Sequence, residues 1–332
     1  MTGANGDMRV LVTGIDGFVG SHLAEFLLGI PGVEVHGTLH PDAQGTNIRH
    51  IAQRLTLHKA DILEPAAIAS TFERVRPTRI IHLAAQAFIP VSMSDPVLTF
   101  RTNIDGGIAI LEAARKATAG SGDHPAVLIV SSGEVYGWVP PDRQPITEDA
   151  PLRPSNPYAA SKASIDIIAQ EYRHSFGLNV KVVRPFNHAG PRQSPWFVCS
   201  EFGRQVASIA LGKAPPRMKV GNVDASRDFT DVRDVVKAYW AIFETSSSDA
   251  VFNVCSGSAQ RIGDLVSMLE KIAGCSVEIV QDQQRLRPYD IPIIVGSHDR
   301  LTRASGWSPS IPITQTLNDV YQYWRDQLVG TS

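Results

Sequence analysis

Residues 9–28, "RVLVTGIDGFVGSHLAEFLL", decide the fold. An apolar, β-branched run ends at Thr13, and Gly14, Gly17 and Gly20 follow with the spacing GxxGxxG, at the start of a helical pattern. Glycine at such a turn lets the backbone approach a pyrophosphate, and the helix N-terminus offers free N–H groups and the positive end of a dipole. Strand, glycine turn and helix together predict a dinucleotide-binding unit.

Further strands of the same kind follow along the chain. They are "VEVHGTL" at 33–39, "LTLHKAD" at 55–61, "RIIHLAA" at 79–85, "AVLIVSS" at 126–132 and "VKVVRPF" at 180–186. Each precedes a stretch that is compatible with a helix. Nearly continuous apolar strands that alternate with helices are typical of a parallel sheet covered on both faces. We therefore predict an α/β protein with a doubly wound parallel sheet, the Rossmann fold.

The pattern changes after residue 186. Segments rich in Pro, Gly and polar residues bracket a predicted helix near 197–211, and "AVFNVCSG" at 250–257 predicts one more core strand before a helix near 261–274. These changes predict two domains that share the chain in pieces. The dinucleotide-binding domain comprises 8–186 plus about 228–258, and a smaller α/β substrate-binding domain comprises about 187–227 plus 259–328.

Composition excludes several classes of protein. The 332 residues are 43% hydrophobic and 19% charged, which suits a soluble globular chain with a full core. No apolar stretch approaches the ~20 residues that span a bilayer, and the N-terminus lacks a secretory pattern, so we expect no membrane association. A net charge of -2 with scattered Lys and Arg excludes a nucleic-acid stripe. Three distant cysteines and ten scattered histidines indicate no disulfide framework, no metal site and a reducing cytoplasm.

The end of the second strand bears on the choice of cofactor. It reads "GTLHPD": Leu39 cannot bond a ribose hydroxyl, His40 can accept a 2′-phosphate, and Asp42 lies beyond a proline. NADP(H) is therefore favoured, and NAD(H) remains possible. Asp61 and Ile62, at the end of the third strand, are expected to flank the adenine, although Asp61 could instead be the N-cap of the next helix.

"NPYAASKASIDIIAQEY" places Tyr158 and Lys162 one helical turn apart on the same face. A phenol has a pKa of ~10, and a nearby ammonium lowers it by favouring the phenolate. Tyr158 can then act as a general acid toward a carbonyl or as a base toward an alcohol. The alternative is a chance YxxxK pattern, with an exposed lysine beside a half-buried tyrosine.

With the glycine turn and "SSGEVYG" at 131–137, this pair resembles the extended short-chain dehydrogenase/reductases, a family of nucleotide-sugar enzymes, over nearly the whole chain. The resemblance implies that Ser132, Tyr158 and Lys162 are catalytic, with Ser132 holding the carbonyl oxygen beside Tyr158; the alternative for Ser132 is a strand-end cap. The implied cofactor site comprises Gly14, Asp16, Gly17, Phe18, Val19, His40, Asp61, Ile62, Leu83, Ala84, Ala85, Gln86, Asn103, Ser131, Tyr158, Lys162 and Pro185.

Gly133 and Glu134 distinguish reduction from dehydration within that resemblance. Sugar 4,6-dehydratases of the family carry T/S-D-E here, where the Asp protonates the departing 6-hydroxyl and the Glu removes the C5 proton. Gly133 replaces the acid while Glu134 remains, which implies a reductase. It also implies that Gly133→Asp raises residual dehydration if the new side chain reaches C6. Glu134 then serves as a catalytic-site group that orients the sugar, or as a structural carboxylate.

Four further segments resemble the GDP-mannose branch of the family: "VVRPFNHAGPRQ", "VGNVDASRDFTDVRDV", "FNVCSGSAQRI" and "RLRPYDIPIIVGSHDRL". This resemblance implies NAD(P)H-dependent reduction of the C4 ketone of GDP-4-keto-6-deoxy-D-mannose to GDP-D-rhamnose. Asn187, Arg227 and Arg287 are expected on the diphosphate, Asp290 near the ribose and Asn222 near the guanine, beside Ser132 and Glu134 on the sugar. The alternatives are an ion pair of Arg227 with Asp228 or Asp231, and a loop charge at Arg287.

Other functions remain open at this point. They are a GDP-mannose 4,6-dehydratase, another nucleotide-sugar epimerase, and a non-enzymatic NAD(P)-sensing regulatory module. The resemblance also implies a homodimer through the Tyr158 helix, with one apolar stripe formed by Ile165, Ile168, Ala169 and Tyr172. The same stripe could instead face the core.

Overall fold

A computed structural model describes residues 8–117, 125–283 and 291–330. Up to residue 185 the main elements are β1 (Met8–Thr13), α1 (Phe18–Leu27), β2 (Val33–Leu39), a 3-10 helix (Thr46–Arg54), β3 (Thr56–Lys59), α2 (Pro65–Val75), β4 (Arg79–His82), α3 (Ile89–Ser94), α4 (Pro96–Phe100), a π-helical turn (Arg101–Asp105), α5 (Gly106–Ala117), β5 (Ala126–Val130), a 3-10 turn (Gly133–Tyr136), α6 (Pro157–Phe176) and β6 (Val180–Pro185). The rest comprises β7 (Asn187–Ala189), α7 (Val198–Ala210), β8 (Arg217–Val220), β9 (Ser226–Asp231), α8 (Val232–Glu244), β10 (Val251–Val254), β11 (Ala259–Arg261), α9 (Ile262–Ala273), β12 (Glu278–Gln281), β13 (Ile293–Ile294), α10 (Asp299–Ser305) and α11 (Ile313–Gly330).

The large sheet confirms the predicted doubly wound architecture. Within the described ranges it has seven strands in the order β10-β6-β5-β4-β1-β2-β3, and every neighbouring pair is parallel. The chain winds outward in both directions from β1, so a crevice opens beyond the carboxyl ends of β1 and β4. β4 ends at His82, earlier than predicted, because the N–H groups of Leu83 and Ala84 donate to the Thr13 hydroxyl at 3.2 Å rather than to a strand.

Helices cover both faces of this sheet. Leu23 of α1 and Val235 of α8 belong to the core cluster on one face, and Phe72 of α2 and Leu111 of α5 belong to the cluster on the other. Ile165 and Ala169 of α6 are buried in the second cluster, and Ile168 and Tyr172 pack against it. The stripe predicted for a dimer interface therefore faces the core, as the alternative had it, because α6 lies directly on the sheet.

A smaller α/β region follows the large sheet. β9 pairs with β7, β11 and β13, and β8 pairs with β12, while α7, α9 and α11 contribute to a separate core cluster. β9 begins at Ser226, and Leu301 and Trp307 pack into the core beside α1 and α8. We therefore propose that the division predicted from the sequence holds with two changes: β9 joins the smaller domain, and residues near 299–307 join the dinucleotide-binding one.

Among the described residues, no helix combines the length and apolar character needed to cross a membrane.

Candidate active site

The glycine turn forms a cradle at the N-terminus of α1. Gly14 has a φ of +68°, and a Cβ there would lie 3.0 Å from the Ala84 Cα. A Cβ at Gly20 would collide with the Gly14 carbonyl, and the Gly17 N–H donates to that carbonyl at 3.0 Å. Since Gly17 is the exposed N-cap and carries no side chain, the first N–H groups of α1 face the crevice. This geometry fits a dinucleotide pyrophosphate.

A buried pair beneath the turn was missed by the sequence analysis. Thr13 Oγ1 lies 2.8 Å from His82 Nδ1 and accepts from two N–H groups after β4, so its own proton is directed to the imidazole. Burial lowers the pKa of His82 to about 3, which keeps the ring neutral and able to accept. Thr13 and His82 each end a strand that flanks the crevice. That shared position in the sequence could have predicted the contact between them.

The loop after β2 carries His40, which the sequence predicts to contact a 2′-phosphate. His40 is half-exposed and lies 3.6 Å from the carboxylates of both Asp42 and Asp61. Lys59 fixes this loop, because its Nζ donates to the carbonyls of His40, Pro41 and Ala43 at 3.4, 3.1 and 2.6 Å. The structure therefore brings together His40 and Asp61, two of the residues expected at the cofactor.

Asp61 is not the N-cap of α2. Its Oδ1 accepts from the Leu63 N–H at 2.9 Å in a local turn, and Glu64 occupies the N-cap position. Ile62 is buried in the core, and a Cβ at Gly106 would press on its side chain. The alternative function considered for Asp61 is therefore wrong, and Ile62 can offer only a small part of its surface to an adenine.

A chain of hydrogen bonds joins the loop after β4 to α6. The Gln86 N–H donates to Asn103 Oδ1 at 2.8 Å, and Asn103 Nδ2 donates to Ser161 Oγ at 2.8 Å. Ser161 Oγ in turn donates to the Tyr158 carbonyl at 2.7 Å. The expected cofactor residues of this loop, Leu83 to Gln86, are thus held in register with the first turn of α6.

The expected catalytic side chains meet where α6 begins beside the 3-10 turn. Asn156 caps α6 by accepting from the Ala159 N–H at 2.8 Å, and Tyr158 follows at the start of the helix. Ser132 Oγ accepts from the Glu134 N–H at 3.1 Å and lies near the Tyr158 hydroxyl, whose pKa it lowers. The Ser132 hydroxyl and the Glu134 charge therefore both act on the phenol of Tyr158.

The pKa values of the pair differ from the prediction. Burial raises the pKa of Tyr158 to about 12, with the Ser132 hydrogen bond opposing and the Glu134 charge adding to the rise. Burial also lowers the pKa of Lys162 to about 8. Lys162 Nζ donates to the Val130 carbonyl at 2.8 Å, so one of its N–H groups is used in this hydrogen bond. Burial, and not the Lys162 ammonium, is therefore the main influence on the pKa of the phenol.

Gly133 packs against the ring of Phe186. A Cβ at this position would lie 3.0 to 3.2 Å from atoms of the Phe186 ring. Phe186 is itself buried, in a cluster with Val135, Tyr136, Ile146, Ala163, Cys255 and Ile294. A longer side chain at residue 133 would therefore begin against this cluster instead of in open space.

A buried ionic network fixes the 3-10 turn to α6. Arg184 donates to Asp166 at 2.7 and 3.0 Å, and also to the Tyr136 hydroxyl at 3.0 Å. Tyr136 donates to Asn253 Oδ1 at 2.7 Å. Because Tyr136 ends the turn that begins at Gly133, and Asp166 lies one helical turn beyond Lys162, this network sets the distance between the two parts of the site.

Three of the expected substrate residues lie on the smaller region, namely Asn187, Asn222 and Arg227. Asn187 opens β7, directly after Pro185 and Phe186 at the end of β6. The next residue, His188, stacks on Phe18 of the glycine turn with centroids 5.9 Å apart and an 8° angle between the rings. This stack brings Asn187 close to the cofactor cradle.

Two other expected substrate residues have local partners. Asn222 Oδ1 accepts from the Asp224 N–H at 2.9 Å. Arg227 Nη1 donates to the carbonyls of Ser226 and Ile291 at 2.8 and 2.6 Å. Arg287 and Asp290 lie outside the described residues.

The acids that were considered as ion-pair partners of Arg227 have other contacts. Asp228 accepts from Ser256 Oγ at 2.6 Å and from the Gly257 N–H at 3.0 Å, and Asp231 pairs with Arg233 at 2.8 Å. In the described part of the chain, no group of three His, Cys, Asp or Glu side chains could hold a metal ion.

Comparison with known proteins identifies the family. The model of the GDP-mannose 4,6 dehydratase family matches residues 11–320. GDP-6-deoxy-D-mannose reductase of Pseudomonas aeruginosa is 37% identical over 96% of this chain and 98% of the relative, and GDP-mannose 4,6 dehydratase 2 of Arabidopsis thaliana is 30% identical over 91% and 82%. The solved structure of RMD from Pseudomonas aeruginosa complexed with NADPH has a TM-score of 0.83 and 36% identity, over 96% of this chain and 99% of that one. This chain, with its glycine cradle and its Ser132, Tyr158 and Lys162 cluster, belongs to the GDP-mannose 4,6-dehydratase family.

Proposed function

We propose that this protein reduces the C4 ketone of GDP-4-keto-6-deoxy-D-mannose to GDP-D-rhamnose with NAD(P)H. One observation carries the proposal: Ser132 lies near the Tyr158 hydroxyl, while residue 133 is a glycine packed against Phe186 and supplies no acid for dehydration. The similarity to a GDP-6-deoxy-D-mannose reductase over nearly the full length of both chains supports it.

The glycine cradle and the loops after β2 and β4 would hold a nicotinamide dinucleotide, which supplies the hydride. His40 is the side chain that would contact a 2′-phosphate, and this position favours NADP(H), with NAD(H) as the alternative. The NADPH in the RMD complex supports the same preference. Asn103, bonded to both Gln86 and Ser161, fixes the loop against which the nicotinamide end would lie.

The residues of the chain account for the proton that reduction requires. Hydride addition at C4 leaves an oxyanion, and Tyr158 transfers its phenolic proton to that oxygen. A pKa of about 12 keeps Tyr158 protonated at neutral pH before the reaction. Ser132 orients the oxygen by donating its hydroxyl proton, and the Lys162 ammonium stabilises the phenolate that forms.

The direct test is oxidation of NADPH by the purified protein with GDP-4-keto-6-deoxy-D-mannose, with the product identified by NMR. We expect consumption of the ketone and formation of GDP-D-rhamnose. A parallel incubation with GDP-mannose tests the second candidate, a 4,6-dehydratase, which the similarity to the Arabidopsis enzyme favours. Formation of the 4-keto sugar there would overturn the reductase proposal, and absence of turnover with either sugar would favour an NAD(P)-sensing module.

Gly133→Asp is expected to weaken the protein and to add no dehydration of GDP-mannose. We expect the new carboxylate not to reach C6, because a Cβ at residue 133 would press against the Phe186 ring at 3.0 Å. Overpacking of this kind typically costs about 1–3 kcal/mol of stability. Thermal unfolding and NMR of GDP-mannose incubations measure the two effects, and Gly133→Ala separates the cost of the Cβ from that of the carboxylate. Efficient dehydration by Gly133→Asp would contradict this account.

Activity is expected to decline as the pH rises through about 8. Lys162 has its pKa lowered to about 8 by burial, so its ammonium is present below that pH and lost above it. Tyr158, with a pKa of about 12, stays protonated over the same range. The profile of kcat/KM for NADPH, which reports groups of the free enzyme, should show one alkaline limb near pH 8. Unfolding temperatures across the range serve as the control, and a flat profile up to pH 10 would refute the function of Lys162.

We propose a homodimer that uses a different face of α6 from the one predicted. Ile167 is 57% exposed, and α3 and α4, which pack on α6, expose Met93, Val97 and Leu98 by 64%, 65% and 45%. An apolar patch of this kind favours a protein interface. Ile167→Glu should convert the dimer to a monomer in light scattering. Ile279→Glu, at a side chain 47% exposed on β12, is the matched control. A wild-type monomer at micromolar concentration would rule out the dimer.

We also propose a reducing compartment, the cytoplasm, as the site of action. Cys199, Cys255 and Cys275 are free thiols in the structure. Free thiols persist where glutathione and thioredoxin keep them reduced. Fractionation of the native cells, with detection of the protein in the cytoplasmic fraction, is the measurement.

A further inference from the structure

An aromatic cluster joins the segment after β4 to the segment before α7. Phe88 lies 6.0 Å from Trp196 and 6.2 Å from Phe197 between ring centroids. Phe88 follows β4, on the dinucleotide-binding side, whereas Trp196 and Phe197 precede α7, on the smaller region. The contacts therefore join loops from both regions.

The position of Phe88 relative to the reacting groups is fixed by hydrogen bonds. Its N–H donates to Gln86 Oε1 at 2.6 Å, and Gln86 connects through Asn103 and Ser161 to the Tyr158 carbonyl. β4 also neighbours β5, whose end leads to Ser132. The cluster is thus attached to the segments that position the general acid.

Exposure shows that the cluster is not part of a core. Trp196 is 72% exposed, more than any other large hydrophobic side chain in the described ranges, and Phe197 is 38% exposed. Aromatic faces exposed at a crevice gain free energy when a ligand with an apolar surface covers them. The surface available to that ligand is apolar, since the indole N–H of Trp196 is the one polar group among the three side chains.

We propose that Phe88, Trp196 and Phe197 form the subsite for the C6 end of the sugar and select a 6-deoxyhexose over a hexose with a C6 hydroxyl. This inference rests on the proposed function. A C6 methyl packs favourably on aromatic faces, whereas a hydroxyl in the same place loses water without gaining a partner. An apolar site of this kind discriminates against an added hydroxyl only moderately, by up to about 100-fold. Trp196 and Phe88 are specificity-determining residues in this account.

Calorimetry tests the proposal without turnover. It measures the binding of GDP-6-deoxy-D-mannose, GDP-mannose and GDP to the full chain saturated with NADP⁺. The two sugars differ by the C6 hydroxyl alone. We expect wild type to prefer the deoxy sugar roughly 3- to 10-fold, as an aromatic contact contributes, and Trp196→Ala to lose that preference while binding GDP as before. Trp138→Ala is the matched control, because Trp138 is 56% exposed outside the cluster, and it should retain the preference.

Other results would overturn the proposal. They are equal affinity of wild type for both sugars, equal loss of preference in Trp196→Ala and Trp138→Ala, or a loss of GDP affinity in Trp196→Ala that matches its loss of sugar affinity. The last of these would assign the ring to the nucleotide. Failure of the proposed function has a separate signature, which is binding with the expected preference but no NADPH oxidation with the 4-keto sugar.

Discussion

Tyr158→Phe is expected to lower kcat of ketone reduction by roughly 100-fold to 10,000-fold, the typical contribution of a general acid. The substitution removes the proton donor and keeps the ring. The Ser132 hydroxyl stays in place because it accepts from the Glu134 N–H at 3.1 Å, so the ketone should still bind. Stopped-flow oxidation of NADPH with GDP-4-keto-6-deoxy-D-mannose measures the effect on kcat separately from the effect on KM.

Tyr172→Phe is the matched control for this substitution. Tyr172 lies on the same helix, and its hydroxyl bonds to Glu112 at 2.9 Å, away from the crevice. It should retain kcat, and both variants should keep the unfolding temperature of wild type within a few degrees. A Tyr158→Phe protein with near wild-type kcat would show that another group supplies the proton, and the Ser132 hydroxyl would then be the next candidate.

Asp166→Ala is expected to destabilise the fold by about 3–5 kcal/mol, the usual cost of leaving a buried charge without its partner. Asp166 is completely buried and Arg184 is 5% exposed, with 2.7 Å between the paired atoms. Without the carboxylate, the guanidinium keeps the Tyr136 hydroxyl and the Glu148 carbonyl as acceptors, which do not neutralise its charge. Urea unfolding gives the change in the free energy of unfolding.

Glu278→Ala provides the comparison for a surface pair. Glu278 and Arg217 are 2.8 Å apart, but their side chains are 60% and 67% exposed. Solvent screens such a pair, so its loss should cost only about 0–1 kcal/mol. Equal destabilisation by the two substitutions would mean that burial of the Asp166 pair adds nothing to its contribution.

The residue types and spacings in the sequence already determined the sheet architecture and the main parts of the site. The apolar strands and the GxxGxxG turn are local features, because a parallel strand buried on both faces must be continuously apolar and a tight turn at a helix N-terminus must lack side chains. Tyr158 and Lys162 follow in the same way, since four residues in a helix place two side chains on one face. The order of the seven strands and the close packing at the glycine turn are consistent with these local patterns.

Long-range packing decided the rest. The ring of Phe186, 53 positions along the chain, packs against Gly133. The Thr13 hydroxyl ends β4 by accepting from the N–H groups of Leu83 and Ala84. Burial is the largest influence on the pKa of Tyr158. Helical periodicity gave Ile165 and Ala169 an apolar stripe, but only the sheet beneath α6 showed which way that stripe faces. Each of these features depends on which side chain from a distant segment packs at a given position. Desolvation and steric fit arise only when those segments come together in the fold, whereas spacing along the chain specifies only neighbours within one helix or strand.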